Sequence, residues 1–179
     1  MILHHKIFGW FSTKGEQVCA EMVMKYPDGS LFVEVGTFMG KSACYIAQEI
    51  KRKNKKIEFH VIDNFKDNEN KQKLAGRDLF EIWCENMKKA EVFDSINVFK
   101  LNSLDAVENY KDKSIDFLYL DADHSYEAVK SDIQKWLPKI KIGGTFAGDD
   151  FCKKDVEKAV TEILGKVRVH GVTWIYEVK

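Results

Sequence analysis

Two short acidic segments carry the residues of this chain best suited to chemistry. Leu120-Asp121-Ala122-Asp123-His124 and Gly148-Asp149-Asp150-Phe151 each follow an apolar, strand-like run. Parallel neighbouring strands lie about 4.8 Å apart, so equivalent ends would bring Asp121, Asp149 and Asp150 within reach of one ion. Three carboxylates so placed repel one another unless a cation sits among them. Hard oxygen donors suit Mg²⁺ first, with Ca²⁺ or Mn²⁺ as other occupants. Asp123 and His124 stand beside them as groups able to take a proton. The plainer alternative is that Asp149-Asp150 and Asp123 cap the helices that follow them.

A second constellation is Glu34-Val35-Gly36-Thr37-Phe38-Met39-Gly40-Lys41-Ser42. Glycines let backbone approach a ligand closely, and a helix opening there offers free N–H groups to a negative charge. The segment imitates a P-loop, but only three residues separate its glycines where that motif has four. It also lacks the second glycine of the dinucleotide pattern, because Thr37-Phe38 stands there. Asp63 lies 23 residues after Gly40, at the end of the next apolar run. A carboxylate there accepts two hydrogen bonds from a ribose diol, or is simply a turn residue. An ionised Glu34 at the end of an apolar strand needs partners.

These residues must be positioned by elements that the apolar spacing outlines. Thr13-x-x-Glu16 reads as a capping box opening a helix to Lys25, ended by Pro27-Asp28-Gly29. Strands are expected at Leu31–Val35, Ile57–Ile62, Ile96–Leu101, Ile115–Leu120 and Gly144–Ala147. Helices are expected at Lys41–Lys51, Ala75–Ala90, Tyr126–Trp136 and Val156–Leu164, with a short one after Leu101. Asn64–Lys73 reads as a mobile loop. Alternating strands and helices imply a parallel sheet covered on both faces. Val167–His170 and Val172–Val178, turning at Gly171, close it as an antiparallel pair. The expected architecture is α/β: a Rossmann-like, seven-stranded, mostly parallel sheet in one domain, with residues 1–30 as arm and helix and 31–179 as core.

With the glycine turn, Asp63 and the terminal hairpin together, the chain resembles the class I S-adenosylmethionine-dependent methyltransferases from Leu31 onward. The resemblance implies that Gly36, Thr37 and Gly40 pass under the methionine part of the cofactor, with Glu34 beside them. It implies that Ser42 binds the methionine carboxylate, that Asp63 with Asn64 holds the ribose, and that Asn102-Ser103 lies beside the adenine. Asp121 completes that cofactor set. The segments from Asp121 to Glu127 and from Gly143 to Asp150 narrow the likeness to the cation-dependent O-methyltransferases, of catechol, caffeoyl-coenzyme A and antibiotic-sugar types. There the positions of Asp121, Asp149 and Asp150 ligate the metal. Asp150 is Asn in the catechol type and Asp in the sugar type, so it leans towards sugars. The sugar type places its base at Asp123, whereas the catechol type has a Lys where this chain has His124. Either Asp123 or His124 is left as the base.

The expected function is therefore methyl transfer from S-adenosylmethionine to a hydroxyl of a small polyhydroxylated molecule, aided by a divalent cation. A P-loop-like nucleotide enzyme and a catalytically inactive cofactor-binding module are the alternatives. The 179 residues leave little room for a separate substrate domain, so Met1–Lys14, Asn64–Arg77 or a second copy of the chain must cover the site. The 28 basic residues equal the 28 acidic ones, which argues against nucleic-acid or membrane-surface partners. No apolar run approaches the ~20 residues of a membrane span, and no secretory leader is recognisable, so a cytoplasmic setting is expected. Cys19, Cys44, Cys84 and Cys152 read as buried free thiols. The basic run Lys51–Lys56 reads as a solvated loop, and His4-His5 as a disordered end. Phe8, Trp10 and Phe11 are expected in the core, with an arm folded over the cofactor edge as the alternative.

Overall fold

Runs of three to nine residues form the strands, and in the computed structural model of the chain, residues 1–66 and 74–179 are described. They are β1 (Leu31–Val35), β2 (Glu58–Asp63), β3 (Asn97–Lys100), β4 (Ile115–Leu120), β5 (Ile140–Gly148), β6 (Arg168–His170) and β7 (Thr173–Glu177). Among the described residues they make one seven-stranded sheet in the order β3-β2-β1-β4-β5-β7-β6. The first five are parallel, and β7 inserts antiparallel between β5 and β6. The expected architecture is thus present. Strand order reverses between β1 and β4, which is where open α/β sheets leave a crevice for ligands.

The helices are α1 (Thr13–Lys25), α2 (Lys41–Arg52), α3 (Leu79–Lys89), α4 (Ser103–Ala106), α5 (Tyr126–Trp136) and α6 (Lys154–Leu164). Alternate strand residues point to opposite faces. Phe32, Phe59, Val61, Phe117 and Tyr119 pack with α1, α2 and α3 on one side. Val33, Val35, Leu118, Leu120 and Phe146 pack with α5 and α6 on the other. Every residue of β4 is buried, as a central parallel strand covered on both faces requires.

Several local expectations need correction. The cap of α1 is Ser12, whose side chain accepts from the Gly15 amide at 3.0 Å; Thr13 is already inside the helix. The helix expected from Ala75 starts at Leu79, because Ala75 and Gly76 have positive φ and Asp78 supplies the cap. β5 begins at Ile140 rather than Gly144, with a register break opposed to Ile115–Phe117 that Gly143, at φ +78°, accommodates. His4 is not disordered: it sits in a 3₁₀ turn, 2.9 Å from Glu16 and edge-on to Tyr45. All four cysteines are free, but Cys152 is exposed and Cys84 only half-buried. Phe11 is core, whereas Phe8 and Trp10 are exposed. The loop expected at Asn64–Lys73 lies mostly outside the described residues.

Candidate active site

The carboxyl ends of β1, β2, β4 and β5 line up because backbone bonds continue past the strands. The Asp121 amide donates to Val35, the Asp149 amide to Leu120 and the Gly36 amide to Ile62, at 2.8–3.1 Å. The chain after β1 then turns back under its neighbour. A Cβ added to Gly36 would lie 2.1 Å from the Asp121 carbonyl oxygen, and its φ is +86°, so only glycine fits. Gly40, at φ +89°, opens α2 without any side-chain cap, which leaves its first amides turned to the loop.

Asp63 anchors this loop. One carboxylate oxygen accepts from the Thr37 and Phe38 amides at 2.9 and 3.0 Å, and the other from the Phe65 amide at 2.7 Å. The Trp83 indole donates to the Thr37 hydroxyl at 3.3 Å. Asn64 donates to Asn102 at 3.1 Å, which joins the ends of β2 and β3. Ser103 turns away from them: it donates to Asp132 at 2.5 Å and accepts from the Trp136 indole at 2.8 Å.

Glu34 is fully buried, and neither carboxyl oxygen has a hydrogen-bond partner. Burial pushes its pKa up to about 8, with the Asp121 and Asp63 charges adding to the rise. The Ser42 and Thr37 hydroxyls, turned towards it, act the other way. The partners that an ionised Glu34 would need are absent, and burial favours its protonated form.

At the neighbouring strand ends, ligand atoms of Asp121, His124 and Asp150 all lie within 4.8 Å of one another. His124 Nε2 is 2.8 Å from Asp150 and 3.5 Å from Asp121. Those hydrogen bonds, Asp121 first, raise the His124 pKa to about 9 against the cost of burial. His124 and Lys153 together pull Asp150 down to about 2. Asp150 adopts φ +60°, a left-handed conformation that Asp tolerates. Asp149 lies outside this cluster and accepts from the Thr173 hydroxyl at 3.2 Å. Burial first, then Asp121, raises its pKa to about 6. Asp123 accepts from the Ser125 amide at 2.7 Å, which holds its pKa below the usual carboxylate range. No side chain caps α6.

The donor set fits a hard cation. The orphaned Glu34 carboxyl and the tight glycine turn fit a polar ligand lying close against the loop. Sequence reasoning missed Lys153, Trp83, Thr173 and Asp132. Lys153 had a local signal in its spacing from Asp150; the other three meet their partners only through the fold.

Comparison with known proteins agrees with this geometry. A family described as "Methyltransferase domain" matches residues 33–151. The uncharacterized protein y4gI of Sinorhizobium fredii is 27% identical over 109 residues, or 60% of this chain. The chain spans 12% of the length of that curated relative. The solved O-methyltransferase NovP superposes with a TM-score of 0.73 at 17% identity, over 93% of this chain and 80% of NovP. CalS11, a TDP-rhamnose 3'-O-methyltransferase of calicheamicin biosynthesis, superposes with a TM-score of 0.61 at 14% identity, over 90% of this chain and 76% of CalS11. With a family match over more than half its length, the chain belongs to the methyltransferase domain family, and it carries the fold of the class I S-adenosylmethionine-dependent methyltransferases.

Proposed function

We propose that this chain is an O-methyltransferase that moves the methyl group of S-adenosylmethionine to a hydroxyl of a small, polyhydroxylated, sugar-like molecule, with a divalent cation in the acidic cluster. The observation that carries the reading is the contact of Gly36 with the Asp121 backbone, which makes the glycine loop and the acidic cluster two walls of one crevice. When bound, the cofactor supplies an electrophilic methyl and the cation supplies Lewis acidity to a hydroxyl.

The chain's own residues do the rest. Gly36, Thr37 and Gly40 form the cofactor floor, with Glu34 beneath it. Ser42, in the uncapped first turn of α2, receives the carboxylate. Asp63 keeps lone pairs for a ribose hydroxyl while it holds the loop, and Asn64 with Asn102 borders the adenine side. Ser103 belongs to that border through its backbone, since its hydroxyl serves Asp132 and Trp136. Asp121, Asp149 and Asp150 would hold the cation, with His124 Nε2 beside them at 2.8 Å from Asp150. Asp123 and His124 flank the cluster, and either would take the hydroxyl proton.

CalS11 and the Asp at position 150 support a sugar-like acceptor. A second copy of the chain covering the crevice and a cytoplasmic setting complete the proposal; among the described residues no helix is long and apolar enough to cross a membrane.

The test is calorimetry with S-adenosylmethionine, with and without Mg²⁺, followed by methyl-transfer assays on vicinal diols. Cofactor binding and turnover that stops in excess chelator are expected. Full turnover in chelator overturns the cation, and absent cofactor binding overturns the whole reading. Binding without turnover on any acceptor would identify an inactive binding module.

A further inference from the structure

On α5, Val129, Asp132, Ile133 and Trp136 are buried, and their spacing of three and four puts them on one face of the helix. A carboxylate on that apolar face is costly unless a donor meets it. Asp132 is 5% exposed, and among the described residues its donor is the Ser103 hydroxyl, at 2.5 Å. The same hydroxyl accepts from the Trp136 indole at 2.8 Å, one helical turn beyond Asp132. Burial pushes the Asp132 pKa up to about 6; the Ser103 bond opposes that rise and the Asp123 charge adds to it.

Ser103 is the first residue of α4, which has four residues and no side-chain cap at Asn102. So short a helix does not hold its own start, and its place is set by what anchors it. Two anchors reach it from other elements: Asn102 Oδ1 accepts from Asn64 at 3.1 Å, and Ser103 is tied to Asp132. Asn102 Nδ2 donates within α4, to Asp105 at 3.0 Å. Asn64 follows Asp63, whose carboxylate holds the Thr37 and Phe38 amides. Hydrogen bonds therefore link α5, the β3–α4 turn, the end of β2 and the glycine loop. The cofactor residues assigned above include none from α5, and Asp132 is where α5 reaches them.

We propose that Asp132 is a positioning residue: through the Ser103 hydroxyl it sets the β3–α4 turn so that the turn reads the base of the cofactor's nucleoside. This rests on the S-adenosylmethionine reading above. Without that bond, the turn stays tethered at Asn102 and pivots at Ser103. A stacked base tolerates a small shift of the wall beside it, whereas a hydrogen bond to its edge weakens steeply with distance and angle. Loss of Asp132 therefore acts on base selection before it acts on the rest of the cofactor. A carboxylate kept for packing alone has no such selectivity, because an apolar side chain would fill that face at least as well.

The experiment uses the intact chain and its Asp132→Ala, Asp132→Asn and Ser103→Ala variants. Calorimetry gives Kd for S-adenosylhomocysteine and for S-inosylhomocysteine, which differ at the base edge, and Tm is read for each protein without ligand. Wild type should favour the adenine ligand. Asp132→Ala and Ser103→Ala should weaken S-adenosylhomocysteine about tenfold and S-inosylhomocysteine about twofold or less, which shrinks the preference. Asp132→Asn, whose side-chain oxygen still accepts from Ser103, should stay within about threefold of wild type. If Asp132→Ala does not fold, Ser103→Ala against Asp132→Asn decides by the same comparison. Equal weakening of both ligands in step with Tm, or Asp132→Asn as poor as the alanine variants, overturns the positioning role. A wild type that binds both ligands equally overturns it too. No binding of S-adenosylhomocysteine by wild type overturns the cofactor reading and this proposal with it, whereas wild-type binding that the variants leave untouched overturns the proposal alone.

Discussion

A carboxyl sealed from water favours its protonated form, and Glu34 is such a group. Its folded pKa, about 8, lies above its ordinary 4.5, so between those values the native state binds more protons than the unfolded one. Stability from this residue is full below about pH 4.5 and is lost as pH rises to about 8. Against Glu34→Gln, the wild type should lose about 1.4 kcal/mol per pH unit through that window. Urea midpoints at several pH values check it, and parallel curves for the two proteins would refute it. Asp149 and His124, also raised, slope the same way, over about pH 4–6 and 6.5–9, and cancel in the comparison.

At the scale of elements, the β1–α2 turn joins the two halves of the site, and it tolerates no side chain at Gly36. Gly36→Ala would add both positive-φ strain and a collision with the Asp121 backbone, about 3 kcal/mol or more together. Gly29, at φ +83°, has nothing within 4 Å of an added Cβ. Gly29→Ala should therefore cost only about 1 kcal/mol of strain. Denaturant unfolding of the two variants separates crowding from conformation. Equal losses would mean that the loop moves away from Asp121 freely.

For the whole molecule, the crevice borrows residues from β1, β2, β4 and β5, so a ligand there ties the central sheet together. Saturation with S-adenosylhomocysteine at about a hundred times its Kd should stabilise the chain by about 2.7 kcal/mol. For a domain of this size that is a rise in Tm of about 5–10 °C, read by calorimetric scans. ATP should give none, and a rise with ATP alone would revive the nucleotide-enzyme alternative. Mg²⁺ added on top should raise Tm further in wild type and not in Asp121→Asn.

The amino-acid sequence by itself determined the alternation of strands and helices, the terminal antiparallel pair and the identity of the glycine turn. Each rests on short-range spacing: period-two or period-3.6 apolar residues, and glycines where backbone must turn. It also named Asp121, Asp123, His124 and Asp150, because they follow strands that had to be neighbours. Ends of elements were less legible. Gly143 could be read as a strand breaker or a bulge, and Thr13 as a cap, until the packing chose. Only the tertiary structure decided which charges face one another. His124 set against Asp150, Lys153 beside them, Ser103 given over to Asp132, and Glu34 left without a donor are all consequences of side chains meeting across strands and helices. So is the placement of Trp10 on Phe38 while Phe11 enters the core. Spacing along a chain fixes which way a side chain points, but burial and partners depend on what the other elements bring to it.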